Sequence, residues 1–183
     1  LESYVDKDKY SFSANDILQV KGMSNILSQI EKAYGVTSAK VIGAGGENVV
    51  FDIGKEILKV SRTGFGAQAL AKDFGIKKKD LDKIGNYQLP SGIPGVTGYR
   101  SVKNFGKLTA ALQDKVEFRD TDKAYAQADL LQGKLAKAGY HWLDAGGPNM
   151  GFDKKGNPTV IDGLVFPTSF VNKNIGKIGR AHV

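Results

Sequence analysis

Residues 143–163 read Leu-Asp-Ala-Gly-Gly-Pro-Asn-Met-Gly-Phe-Asp-Lys-Lys-Gly-Asn-Pro-Thr-Val-Ile-Asp-Gly. Asp144 and Asn149 stand five apart on a Gly/Pro-rich segment, which predicts a loop. Asp153-Lys-Lys-Gly-Asn is a turn signal, and Pro158-Thr-Val-Ile follows as a short apolar strand ending at Asp162-Gly163. A β-hairpin here would return Asp162 to the side of Asn149. A carboxylate and an amide oxygen brought together suit Mg²⁺, a hard cation that keeps waters and shares phosphate oxygens. Asn149 and Asp162 are therefore the expected metal ligands. Asp144, at the start of the loop, is left to accept a proton.

This arrangement resembles the catalytic segment of the protein kinase-like superfamily, where a catalytic-loop Asp is followed five residues later by an Asn and a metal-binding Asp follows a hairpin. The pattern is closest to the aminoglycoside phosphotransferase and small bacterial kinase-like branch. Its elements here are Asp144-Ala-Gly-Gly-Pro-Asn149 and Val160-Ile161-Asp162. The chain departs from it at two places. Trp142 stands where the family usually has His, with His141 one step further off, and Gly163 directly follows Asp162.

Upstream, residues 39–61 read as strand, glycine turn, strand, tight turn at Gly54-Lys55, strand. Glycines at Gly43, Gly45 and Gly46 would let the first turn lie close to a ligand, with backbone N–H groups free for phosphate oxygens. Lys59, on the third strand, carries a point-charge ammonium suited to α and β phosphates. These features are similar to a kinase glycine-rich loop and its strand-borne Lys, with Asn48 at the third glycine position. No Gly-Lys-Ser/Thr follows the glycines, which excludes a Walker A loop. A strand rather than a helix follows them, which excludes a dinucleotide fold. The resemblance further implies that Gln113 and Lys115, at a hinge near residues 113–117, offer backbone groups to adenine. It also implies a helix Glu paired with Lys59. No Glu occurs between Glu56 and Glu117, leaving Gln68, Asp73, Asp80 and Asp82 as substitutes on short helices expected over residues 68–74 and 78–84.

Other elements have structural roles. A helix capped by Ser13 or Asn15 should run to about Tyr34 and stop at Gly35. Residues 96–102 and 107–113 read as two strands. Residues 120–138 form the clearest helix, with Ala124, Ala128, Leu131, Leu135 and Ala138 in one stripe and Gly139 at its end.

The chain has 183 residues, 41% hydrophobic and 25% charged, which fits a globular protein with one core or two small lobes. No apolar run is long enough to span a membrane, and no signal peptide is read at the N-terminus. The absence of Cys excludes disulfides, thiolate metal sites and Cys nucleophiles. Two His make a zinc site or a His-based triad an unsuitable reading. The net charge of +7 could attract nucleic acid, an anionic membrane or a nucleotide, but the lysines are scattered. The chain starts at Leu1 rather than Met, as a piece of a longer protein would.

The expected fold is α+β: a two-lobed kinase-like fold with a small antiparallel sheet as N-lobe and a truncated helical C-lobe. Residues 1–36 would be an N-terminal helical extension, 37–116 the N-lobe and 117–183 the reduced C-lobe with its catalytic loop. The implied activity is Mg²⁺-dependent transfer of the γ-phosphoryl of ATP to a hydroxyl acceptor: a small molecule, a protein or a nucleic acid. A partner or inhibitor protein could supply surface that the short C-lobe lacks. The expected site of action is cytoplasmic, with secretion as part of a larger protein left open. The alternatives are a catalytically inactive kinase-shaped binding domain, a toxin domain of a larger bacterial protein acting on RNA or protein, and nucleotidyl transfer by the same site.

Overall fold

The computed structural model describes residues 11–13, 22–45, 48–61, 64–66, 88–118 and 121–169. They group into two compact units. The first comprises the described residues up to Gly64 together with Arg100–Lys115, and the second comprises those within Phe65–Tyr99 and from Val116 onward. The chain is α+β, and its principal sheet is antiparallel.

The first unit is a six-stranded sheet with one described helix. Its strands are β1 (Ser11–Ser13), β2 (Lys40–Gly45), β3 (Asn48–Asp52), β4 (Glu56–Ser61), β5 (Arg100–Phe105) and β6 (Leu108–Asp114), in the order β1-β2-β3-β4-β6-β5. The β3–β4 hairpin forms as its sequence predicts. Gly54 supplies the positive φ of 106°, and Asp52 Oδ1 accepts the Gly54 N–H at 2.9 Å. Antiparallel pairing aligns Val49 with Val60, Phe51 with Leu58, and Leu58 in turn with Leu112. Val49, Phe51, Leu58, Val60 and Ala110 are fully buried. Each large apolar side chain so buried contributes roughly 1.5–3 kcal/mol of transfer free energy.

Helix α1 (Met23–Tyr34) covers that face with Met23 and Ile30, flanked by Ile26 and Leu27. Gly35 ends the helix at φ 63°, and Val36 N–H closes on the Glu31 carbonyl at 3.0 Å. The expected N-terminal cap at Ser13 is corrected. Ser13 lies in β1, paired with Gly43, and the described helix starts after Gly22 at φ 81°. A left-handed glycine interrupts a right-handed helix, so Gly22 sets the boundary. Residue Asn15 lies outside the described residues.

Two further expectations are revised. Gly43 and Gly45 belong to strand β2 rather than to a turn, and Gly43 is paired with Ser13 on one side and Val50 on the other. The strand expected over residues 96–102 begins only at Arg100, because Pro94, Gly95 and Gly98 keep the preceding segment irregular. Val96 contributes an isolated bridge to Val160 instead.

The second unit is built on helix α2 (Thr121–Lys137), which buries Ala124, Ala128, Leu131 and Leu135. Ala138, expected in the same stripe, lies beyond the helix and is exposed. Gly139 at φ 90° turns the chain into β7 (Tyr140–Leu143), which pairs antiparallel with β10 (Leu164–Pro167). Strands β8 (Met150–Phe152) and β9 (Pro158–Val160) form the expected hairpin. Its turn is held by Asp153 Oδ1, which accepts the N–H groups of Lys155 and Asn157 at 2.9 Å each. Residues 88–99, read from sequence as part of the first lobe, pack in this unit. Thr97 N–H donates to the Val160 carbonyl, and Val165 N–H to that of Gln88, both at 2.9 Å. The helices expected over residues 68–74 and 78–84 lie outside the described residues.

Candidate active site

Strand β7 ends at Leu143, and the chain reverses at Asp144 with φ 61°. Asp is one of the few residues that tolerate this left-handed conformation, because its short polar side chain can bond locally. Gly146 and Gly147 carry the chain back against α2. A Cβ on Gly147 would meet the Tyr125 nitrogen at 3.2 Å and the Ala124 Cβ at 3.3 Å, so glycine sets how closely the loop seats. Pro148 then opens a single 3-10 turn, Gly147–Asn149, closed by Asn149 N–H donating to the Gly146 carbonyl at 3.0 Å.

Asn149 is the centre of the loop. Its Nδ2 donates to the backbone carbonyl of Asp144 at 2.7 Å and to the Asp144 carboxylate at 3.1 Å. Its own carbonyl accepts the N–H of Ile161 at 3.0 Å and of Asp162 at 3.3 Å. One residue therefore bonds to both Asp144 and Asp162, and the hairpin of β8 and β9 places all three together. Asp162 Oδ1 accepts the following Gly163 N–H at 2.8 Å.

This donor set fits a hard divalent cation. With Nδ2 committed to Asp144, the Asn149 amide oxygen has no hydrogen bond among the described residues, and neither does Asp162 Oδ2. A neutral and an anionic oxygen suit Mg²⁺, which takes few protein ligands and completes its octahedron with water and phosphate oxygens. Among the described residues no cluster of three or more His, Cys, Asp or Glu is arranged as a metal cage.

The remaining expected site residues lie in the first unit. Alternation along β4 sends Leu58 and Val60 to the core, and Ile57, Lys59 and Ser61 to the opposite face. Antiparallel register sets Gly43, Val50, Lys59 and Ala111 in one transverse row, and Asp52, Ile57 and Gln113 in the next. Asn48 sits opposite Ser61 in a third row. Gly43, Asn48, Lys59 and Gln113 thus share one face of the sheet. Lys59 is only 6% exposed, and a lysine is buried to that degree only where its charge is matched. Gln113 is buried as well. The Lys115 ammonium is paired with the Asp52 carboxylate at 2.8 Å. Burial pushes the Asp52 carboxyl up. Hydrogen bonds from Lys115 and the Gly54 N–H, with the charges of Lys115 and Lys40, outweigh that and hold it below its ordinary value. Arg100 bridges Glu56 and Asp114 beside this pair. Gly46, Gln68, Asp73, Asp80 and Asp82 lie outside the described residues.

Sequence reasoning assigned no role to Trp142 or Gly163. The buried Trp142 indole Nε1 donates to the Asp162 carbonyl at 3.1 Å. Gly163, at φ 99°, is wedged where a Cβ would lie 2.5 Å from the Leu143 carbonyl oxygen and 2.9 Å from Trp142 Nε1. The only available signal was negative: both are positions at which the sequence departs from the pattern that it resembles.

No protein-family model matches the chain, and no curated protein matches it. Solved structures of WbdD do match at low identity. A 2.2 Å crystal structure of WbdD is 13% identical, covers 73% of this chain and 35% of its own, and has a TM-score of 0.41. A co-crystal structure of WbdD with a kinase inhibitor gives 12% identity, 72% and 34% coverage and a TM-score of 0.44. A structure described as the bifunctional kinase-methyltransferase WbdD gives 14%, 74%, 34% and 0.40. The chain spans about a third of the length of these proteins. Similarity at this level carries no argument about chemistry, which rests on the residues themselves. No helix among the described residues is long and apolar enough to cross a membrane.

Proposed function

We propose that this protein is a kinase-like phosphotransferase that moves the γ-phosphoryl of ATP to a hydroxyl acceptor with the help of Mg²⁺. The observation that carries the reading is the junction at Asn149, whose side chain holds Asp144 and whose carbonyl holds Asp162. Phosphoryl transfer requires chiefly positioning and neutralisation of charge, and this loop has the groups for both.

Asn149 Oδ1 and Asp162 Oδ2 would hold Mg²⁺, which when bound neutralises charge on the phosphate oxygens. Asp144 accepts the acceptor hydroxyl's proton. The acceptor oxygen forms its bond to the γ-phosphorus as the bond from that phosphorus to the β–γ bridging oxygen breaks, and ADP leaves with the electron pair. Asp144 is exposed, so an acceptor can reach it without rearrangement of the loop.

The test is to incubate the protein with Mg²⁺, cell extract and ATP labelled separately at the γ and α phosphates. Movement of the γ label alone into an acceptor is expected. Movement of the α label assigns nucleotidyl transfer instead. If the protein binds nucleotide and neither label moves, the chain is a binding domain.

A further inference from the structure

Asp162 is fixed by its main chain on both sides. Its N–H is held by the Asn149 carbonyl at 3.3 Å and its carbonyl by Trp142 Nε1 at 3.1 Å. Pairing of β7 with β10 sets Trp142 opposite Val165 and Leu143 opposite Leu164, so the bend at residues 161–163, which links β9 to β10, lies beside the end of β7. The indole lies against that turn on Gly163, where no side chain fits between them. Among the described residues the carboxylate accepts one hydrogen bond, from the Gly163 N–H at 2.8 Å, and a Cβ on Gly163 would lie 2.9 Å from the same indole nitrogen.

We infer that Trp142 is a positioning residue for the metal-binding carboxylate, and that its emission reports occupancy of Asp162. A planar ring buried to 1% exposure has little freedom, so its N–H is a rigid donor. It sets the direction of the Asp162 carbonyl, and hence of the Cα–Cβ bond and the carboxylate. Outer hydrogen bonds of this kind orient metal ligands, and losing one typically weakens metal affinity about 10–100-fold. Trp142 is also the only Trp in the chain, so emission excited selectively at the indole has no other source. The inference rests on the assignment of Asp162 as a metal ligand.

The experiment uses Mn²⁺ as probe, with ADP present, and reads bound metal by electron paramagnetic resonance. Four proteins are compared: wild type, Asp162→Asn, Trp142→Phe and Trp142→His. Trp142→Phe keeps an aromatic ring but loses the N–H donor, whereas Trp142→His restores a donor. Trp142→Phe should bind Mn²⁺ about 10-fold or more weakly, with metal-free ADP affinity unchanged, and Trp142→His should recover most of the loss. Wild-type emission should change with Mg²⁺ along the same saturation curve, and Asp162→Asn should show no change.

Equal Mn²⁺ affinity in wild type and Trp142→Phe overturns the inference, as does an equal loss in Trp142→Phe and Trp142→His, which assigns the indole to packing alone. Where both Trp142 variants fail to fold, the wild-type emission decides: saturable Mn²⁺ binding with no Mg²⁺-dependent change in emission overturns it. Failure of the underlying reading is a separate result, in which wild type and Asp162→Asn bind Mn²⁺ alike.

Discussion

The amide nitrogen of Asn149 lies 2.7 Å from the Asp144 carbonyl oxygen and 3.1 Å from its carboxylate. A single side chain closes the loop and aims the group that would take the acceptor's proton. Asn149→Asp keeps the size but replaces the donor with a second carboxylate facing two oxygens. Like charges this close raise the pKa of one member of the pair in the folded state. Stability dependent on that proton is lost as pH rises through the raised value. The melting deficit against wild type should therefore be small near pH 4 and reach about 1–2 kcal/mol at pH 7. A deficit independent of pH would remove the charge argument.

Asp144→Asn and Asp144→Ala separate chemistry from backbone strain. Both remove the proton acceptor, so transfer should fall about 10²–10⁴-fold in each. Asn tolerates φ 61° as Asp does, whereas Ala pays about 1–2 kcal/mol for the left-handed conformation. Melting should be unchanged in Asp144→Asn and lowered in Asp144→Ala. Activity that tracks melting across the two would make Asp144 a turn residue only.

Asp162→Asn preserves an oxygen to accept the Gly163 N–H but removes the single anion of the proposed metal site. Without ligand it should melt within about 0.5 kcal/mol of wild type, as a near-isosteric change does. Ligand that binds only the native state raises melting by mass action. Mg-ATP should therefore raise wild-type melting and leave Asp162→Asn almost unmoved. An equal rise in both refutes the metal role.

Gly163→Ala and Gly139→Ala differ in one respect. Both glycines have φ near the left-handed region, at 99° and 90°, but only Gly163 has backbone in the way of a Cβ, at 2.5 Å, whereas nothing lies within 4 Å of Gly139. Gly139→Ala should cost about 1 kcal/mol, and Gly163→Ala about 1–3 kcal/mol more from overpacking. Denaturant midpoints measured side by side check this; equal shifts would mean that the Trp142–Gly163 contact yields freely.

The Asp52–Lys115 pair gives a pH signature in the first unit. A folded-state pKa below the ordinary value means the carboxylate stabilises the fold above its unfolded pKa, and that this is lost as pH falls through the folded value. The stability difference between wild type and Asp52→Asn should be constant from neutral pH down to about 5, then shrink below the ordinary value of 3.8. The pair is partly exposed, so the plateau should be no more than about 1 kcal/mol. A difference that grows on acidification would reverse the assignment.

Interactions a few residues apart were legible in the sequence. The hydrophobic stripe of α2, Gly54 in the β3–β4 turn and the Asp153 turn are encoded by spacings that a linear chain displays. Asp144 and Asn149 belong with them, because five residues of loop suffice to close their hydrogen bonds. Only tertiary structure decided the rest. The bond from Trp142 to Asp162 spans twenty residues, and the wedge on Gly163 depends on β7 lying beside β10. The packing of residues 88–99 on β9 and β10 is set by backbone groups of Gln88, Gly95 and Thr97, with one side-chain bond between the Thr97 and Thr159 hydroxyls, 62 residues apart. Pairing of Ser11–Ser13 with the glycine-bearing strand is likewise a backbone event. Periodicity and turn chemistry report what a residue needs from its neighbours in sequence; hydrogen bonds between distant main-chain groups leave no mark there, because every residue but proline has the same N–H and C=O to offer.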